Sequence, residues 1–277
     1  MNLFTVFLIQ PLANGLIIFY HILGSNLGLA IIGFSLFLRV ALNPLTKSYM
    51  ESKSKMREFA PQLEKLKKKH KDKTKLAQAQ ADFYKDKNIK PGAGCLPYLL
   101  QIVVLIAFFN VFSRTLSNGP DLTANFNNLL YEPLKFAQDQ VLNTKFLYLD
   151  VAQPDKIQLP GVSFALPGPI LFLAALIQLI SAKLMAPQTK VEEKVAKKTP
   201  ESTDDFQVSM QKSMIYMFPF MTLMIGMRFA SGLALYWIVF SATQAYQQLK
   251  SKGLRLDTWI KESNLLKSYA KQDKKKQ

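Results

Sequence analysis

Several runs of this chain are apolar over lengths near the ~20 residues needed to cross a hydrocarbon core, and the stretches between them carry the charge. Of 277 residues, 49% are hydrophobic, yet the formal net charge is +16. That division marks a multispanning membrane protein. A soluble nucleic-acid binder could share the basic balance but would not hold repeated apolar runs of this length, so DNA is not an expected partner. The single cysteine, Cys95, excludes an intramolecular disulfide and any cysteine cluster. His21 and His70 fall on segments assigned to opposite sides of the membrane. No metal or cofactor is expected.

Charge orders the spans. Residues 47–90 hold fourteen Lys and Arg against six acids, which places this loop in the cytoplasm by the positive-inside rule. The spans read as 27–45, 96–116, 169–185, 212–228 and 232–249. An external loop covers 117–168, a cytoplasmic linker 186–211 and a basic cytoplasmic tail 250–277. Residues 1–23 carry Gln10, Pro11, Asn14 and Gly15, and read as an interfacial helix outside the membrane in preference to a sixth span. No Lys or Arg precedes Arg39, so a standard signal peptide is not indicated and the first residues read as mature protein. Within 46–91, Met56, Phe59, Leu63 and Leu66, then Leu76, Gln80 and Phe83, recur at helical spacing. This predicts a helical hairpin with a kink or restart at Pro61. Its charges fix topology, and its amphipathic spacing also suits docking.

Arg39 is the residue in the spans that most needs explaining. An arginine near the middle of a spanning helix costs at least ~2.5 kcal/mol, so it faces protein or water instead of lipid. Steps of four place Ser35, Arg39 and Asn43 on one face. Two readings follow: a polar stripe lining a wet cavity, or an arginine that snorkels to the nearby interface.

No H-E-x-x-H, G-x-S-x-G or phosphate-loop spacing occurs, so hydrolysis is poorly supported and the chain does not read as an enzyme. Polar side chains nonetheless recur on apolar segments: Gln101; Gln178 and Ser181; Trp237, Ser241, Gln244 and Gln248. Each glutamine alone reads as a helix-to-helix hydrogen bond. Together with a positive charge that no acid in the spans neutralises, they point to a shared hydrated groove. Met210, Met214, Met217, Met221 and Met224 form one helix face, read as ordinary packing before a surface for varied apolar partners.

Four segments, FLRVALNPL at 37–45, PGAGCLPYLLQ at 91–101, IQLISAKLM at 177–185 and SGLALYW at 231–237, resemble in order and loop polarity the YidC-type membrane protein insertases. That family includes the mitochondrial oxidase-assembly and chloroplast Albino insertases. The resemblance implies an all-α integral membrane protein: five transmembrane helices around a cytoplasm-open hydrophilic groove, a cytoplasmic helical hairpin and an N-terminal interfacial helix, acting as one insertase domain. It implies that Arg39, Ser35, Gln101, Gln178 and Ser181 line the groove, with Leu105 and Trp237 as the apolar wall along which a client slides; Asn43 joins the groove residues through its place on the Ser35–Arg39 stripe. Ser181 stands where many members carry a second glutamine.

The implied partners are nascent membrane-protein clients, the ribosome through the basic hairpin and tail, the general secretion translocon, the signal recognition machinery and anionic lipids. The implied location is the plasma (inner) membrane of a bacterium, with the N-terminus outside and the C-terminus cytoplasmic. Two other classes compete. A secondary transporter of an anionic solute would usually show internal repeats, and none is evident. A passive assembly factor of the secretion channel would share the outline.

Overall fold

The computed structural model describes residues 2–44, 58–69, 72–88, 96–116, 121–137, 140–161, 163–185 and 202–251. Cys95, His70 and the tail beyond Ser251 lie outside them. The chain forms two compact units, Met1–Gly24 with Leu36–Leu142, and Ser25–Ser35 with Asn143–Gln277.

In the first unit a π-helical stretch, Thr5–Ile9, runs into α1, Gln10–Ile22. The Gln10 N–H donates to the Thr5 carbonyl five residues back, immediately before Pro11. The wider turn spares the Phe7 carbonyl a clash with the proline ring. Ile9, Leu12, Ala13, Leu16, Ile17 and Tyr20 are buried, and the helix packs against α5, Leu96–Thr115, which buries Ala107, Phe108, Val111 and Phe112. Asn14 is buried and fully used. Its amide donates to the carbonyls of Gln10 at 2.8 Å and Leu129 at 3.1 Å, and its oxygen accepts the Tyr131 N–H at 2.8 Å. Thr5–Ile22 is long and apolar enough to cross a bilayer; four other apolar helices, Leu27–Ala41, Ile102–Thr115, Pro169–Leu184 and Ile215–Gly226, are shorter.

The hairpin of this unit is α3, Ala60–Lys69, and α4, Lys73–Asp86. Pro61 lies in the first turn of α3, where its missing N–H costs nothing, so the sequence restarts a helix there. Asp72 caps α4 by accepting the N–H groups of Thr74 and Lys75. Phe59 meets Phe83 edge to face at 6.1 Å, and Lys87 sits over the Phe59 ring. Burial pushes the nearby Tyr84 hydroxyl above its usual pKa. The short α6, Leu122–Asn127, follows α5.

The second unit takes the first part of α2, Leu27–Ala41. The Asn26 amide donates to the Lys145 carbonyl at 2.8 Å, and Gly28 lies so close to Phe146 that an added Cβ would come within 2.4 Å of it. Two antiparallel ribbons follow, β1 Lys145–Phe146 with β2 Leu149–Asp150, and β3 Lys156–Ile157 with β4 Leu166–Pro167. They are short additions to a mostly helical chain, and strands of two residues leave no alternation to read. Then come α7, Pro169–Met185, α8, Ser202–Gly226, and α9, Gly232–Ser251. Helix α8 begins at Ser202, inside the stretch 186–211 read as a linker, where Ser-Thr-Asp-Asp supplies a helix start; residues 186–201 lie outside the described residues.

Helix α7 packs against both α8 and α9. Ala174 and Ala175 are buried, and an added Cβ on Gly226 would meet Leu171 at 2.3 Å, so small residues let the helices approach. The segment after β2 binds the helix starts. Val151 and Gln153 carbonyls accept the N–H groups of Gly232 and Ser231, and buried Asp155 accepts the Leu171 N–H at 2.8 Å.

Candidate functional site

The second unit gathers the polar side chains of three apolar helices. Gln178 on α7 accepts the Thr222 hydroxyl of α8 at 2.7 Å, with both side chains buried. One turn further along α7, the Ser181 hydroxyl donates to Gln244 Oε1 of α9 at 3.1 Å. Their spacing of three keeps them on one side of α7. Gln178 and Gln244 therefore form helix-to-helix hydrogen bonds. Thr222 is a partner the sequence reading missed, and its only signal is a hydroxyl inside an apolar, Met-rich run.

Trp237, in the first turns of α9, is buried, and among the described residues its indole N–H has no acceptor. Ser35 is buried and donates to the Ile31 carbonyl of its own helix, which absorbs the proton without crossing to a neighbour. Lys183, near the end of α7, lies over the Tyr216 ring of α8 at 5.6 Å.

Arg39, Asn43 and Leu105 belong to the first unit. Arg39 is half-buried and lies in the last turn of Leu27–Ala41, not mid-helix, so its cation sits at the negative end of the helix dipole. Asn43 is exposed and helical just past a turn at Leu42, and Leu105 is half-buried on α5. Gln101 lies on α5, with its side chain outside the description. On the methionine face, Met217, Met221 and Met224 are 48%, 42% and 47% exposed, while the side chains of Met210 and Met214 lie outside the described residues. Among the described residues no group of three His, Cys, Asp or Glu could hold a metal ion.

The ribbons carry the clearest electrostatics. Burial pushes the Asp150 carboxyl up, but hydrogen bonds from the Thr144 hydroxyl, Lys145 ammonium and Ala152 N–H outweigh it and hold the group below the usual carboxylate range. Tyr148 is pushed up, first by burial and then by the Asp155 carboxylate beside it, against a lowering hydrogen bond from the Ile170 N–H.

The chain is similar to proteins named membrane protein insertase YidC. One from Jannaschia sp. (strain CCS1) is 30% identical over 90% of this chain and 37% of its own length. One from Roseobacter denitrificans is 31% identical over 85% of this chain and 36% of its own length. A Bacillus anthracis protein named membrane protein insertase YidC 2 is 28% identical over 87% of this chain and 78% of its own length. The chain thus spans little more than a third of the first two relatives. Residues 18–255 match the family described as 60Kd inner membrane protein. A match over that share of the sequence makes this chain a member of the 60Kd inner membrane protein family.

Proposed function

We propose that the chain is a membrane protein insertase and chaperone: it accepts apolar client segments beside buried polar groups and releases them sideways into the bilayer. The observation that carries this reading is the family match over residues 18–255, joined to relatives named membrane protein insertase. The side-chain chemistry supports it. The polar groups described above hydrogen-bond across or within apolar helices and compose neither a nucleophile and its base nor an acid–base pair, so the work required of them is solvation, not bond cleavage.

The proposed topology has five spans, 27–45, 96–116, 169–185, 212–228 and 232–249, an external N-terminus and a cytoplasmic tail in a bacterial inner membrane. Residues 1–23 lie on the outer surface in this reading. Asn14 supports that position, because the middle of its helix bonds the backbone of Leu129 and Tyr131 in the external loop. A spanning helix would carry its middle at bilayer depth.

Arg39 is the proposed electrostatic contact for acidic client tails, with Asn43, Gln101 and Leu105 as further client contacts in the first unit. In the second unit these are Ser35, Gln178, Ser181 and Trp237. The free donor of Trp237 suits a client carbonyl that has lost water. Attraction holds an acidic tail partway across, and a membrane potential favours its outward passage by ~2.3 kcal/mol per charge per 100 mV. No nucleotide, metal or cofactor takes part. The basic hairpin and tail are proposed to meet the ribosome, nascent chains or anionic lipids, and the chain works alone or beside the secretion translocon and signal recognition machinery.

The test is reconstitution of the purified chain into liposomes, followed by protease protection of a single-span client with an acidic N-terminal tail. Insertion above empty liposomes by wild type, and its loss in Arg39→Ala, is the expected result. No insertion by wild type would leave an assisting role beside the secretion channel as the better account.

A further inference from the structure

We infer that the two ribbon turns of the second unit form a lipid anchor at the outer bilayer interface, with Leu147 and Phe164 entering between headgroups. The inference rests on the reading of α7 as a span whose N-terminus lies at the outer surface.

The first observation is a leucine where a hairpin does not need one. Phe146 pairs with Leu149, so Leu147 and Tyr148 form the two-residue turn. Leu147 has φ +55° at the first central position, a conformation that favours glycine because a Cβ crowds the backbone. Packing within the chain does not reward this, since Leu147 is 78% exposed. A small polar residue would serve the turn better, so the demand for leucine comes from outside the ribbon.

The second observation fixes where the turn sits. The Tyr148 hydroxyl accepts the Ile170 N–H at 2.9 Å and donates to the buried Asp155 carboxylate, while its ring remains largely exposed. The turn is thus bonded to the second residue of an apolar helix whose outward side chains include Phe172, Leu173 and Leu176. The other ribbon is rooted at the same residue, because the Gly168 N–H donates to the Asp155 carbonyl at 2.9 Å. Its exposed apolar side chains are Ile157, Leu159 and Phe164.

The occupant that fits is a phospholipid surface. Two separate apolar tips, each with a lysine on the adjoining strand (Lys145, Lys156), and a tyrosine between them match a boundary where acyl chains meet phosphates.

The test uses the full chain in a Cys95→Ser background, with Leu147→Cys, Phe164→Cys or Leu176→Cys labelled by an environment-sensitive fluorophore. Each is reconstituted into phosphatidylethanolamine–phosphatidylglycerol vesicles containing lipids with a doxyl quencher near the headgroup or at the chain end. The expected result is strong quenching of the Leu147 and Phe164 labels by the headgroup-proximal quencher, and of the Leu176 label by the chain-end quencher. If Leu176 behaves so while both turn labels respond only to aqueous iodide, α7 is a span and the anchor is overturned. Turn labels shielded from both quenchers mean a protein covers them, which also overturns it. If the Leu176 label is not quenched by lipid, the span reading falls and the anchor with it.

Discussion

Thr222 on α8 donates its hydroxyl to Gln178 on α7, and both side chains are buried. Removing the donor leaves a buried amide oxygen without its partner, while removing both groups leaves an apolar contact. Thr222→Val should therefore destabilise the protein by ~1 kcal/mol, and Gln178→Leu added to it should cost less than the two single changes summed. Thermal unfolding of the four proteins in detergent measures this coupling; strict additivity would show that the bond contributes nothing.

Arg39→Lys keeps the charge and loses the planar fork. If attraction to the client tail is the main effect, Lys retains partial insertion and Ala does not, and the difference vanishes for clients with neutral tails. Initial insertion rates for matched acidic and neutral clients separate charge from shape. Equal activity of Ala and wild type on the acidic client would remove the electrostatic step.

Asp150 gives the second unit an acid limit. Its carboxyl titrates below the usual range in the folded chain, so it favours folding above the unfolded value of ~3.9 and loses that contribution as pH falls through the folded value. The unfolding temperature of wild type should therefore drop further between about pH 6 and pH 3 than that of Asp150→Asn. A parallel drop in both would assign the acid sensitivity elsewhere.

Gly168→Ala tests the seat of α7. The new Cβ would lie 1.8 Å from Asp155 Oδ1, and the carboxylate cannot retreat without releasing the Leu171 N–H. Loss of such a helix cap costs ~1–2 kcal/mol. Asp155→Ala should cost a similar amount, and the double variant little more than either alone, because both changes remove the same cap. Unfolding midpoints decide it, and full additivity would show two separate effects.

The helices were legible wherever apolar runs meet punctuation. Pro169 opens α7, and Gly232 opens α9 after a Gly226 that closes α8. The ribbons were not legible, because two-residue strands are defined by their partners across the ladder and not by any local pattern. Gln178 and Ser181 stood out as polar residues among apolar ones. Their partnership with Thr222 and Gln244 depends on how α8 and α9 turn toward α7, which composition does not encode. Asn14 and Asp155 gave weaker signals still: each is a single polar residue with at least one bond to backbone more than fifteen residues away. Arg39 was legible as a residue under constraint, but its position in the final turn of the helix required the place where α2 stops.

Residues 151–155 occupy N–H groups at the starts of α7 and α9: backbone carbonyls accept from Gly168, Ser231 and Gly232, and the Asp155 carboxylate accepts from Leu171. Amides left open at a helix start attract water, and water files carry protons. The proposed insertase would share its membrane with the ion gradient the cell uses to make ATP, and a standing leak would drain that gradient. By committing these donors to its own chain, the second unit leaves fewer open amides at the starts of these two helices for a file of water to use.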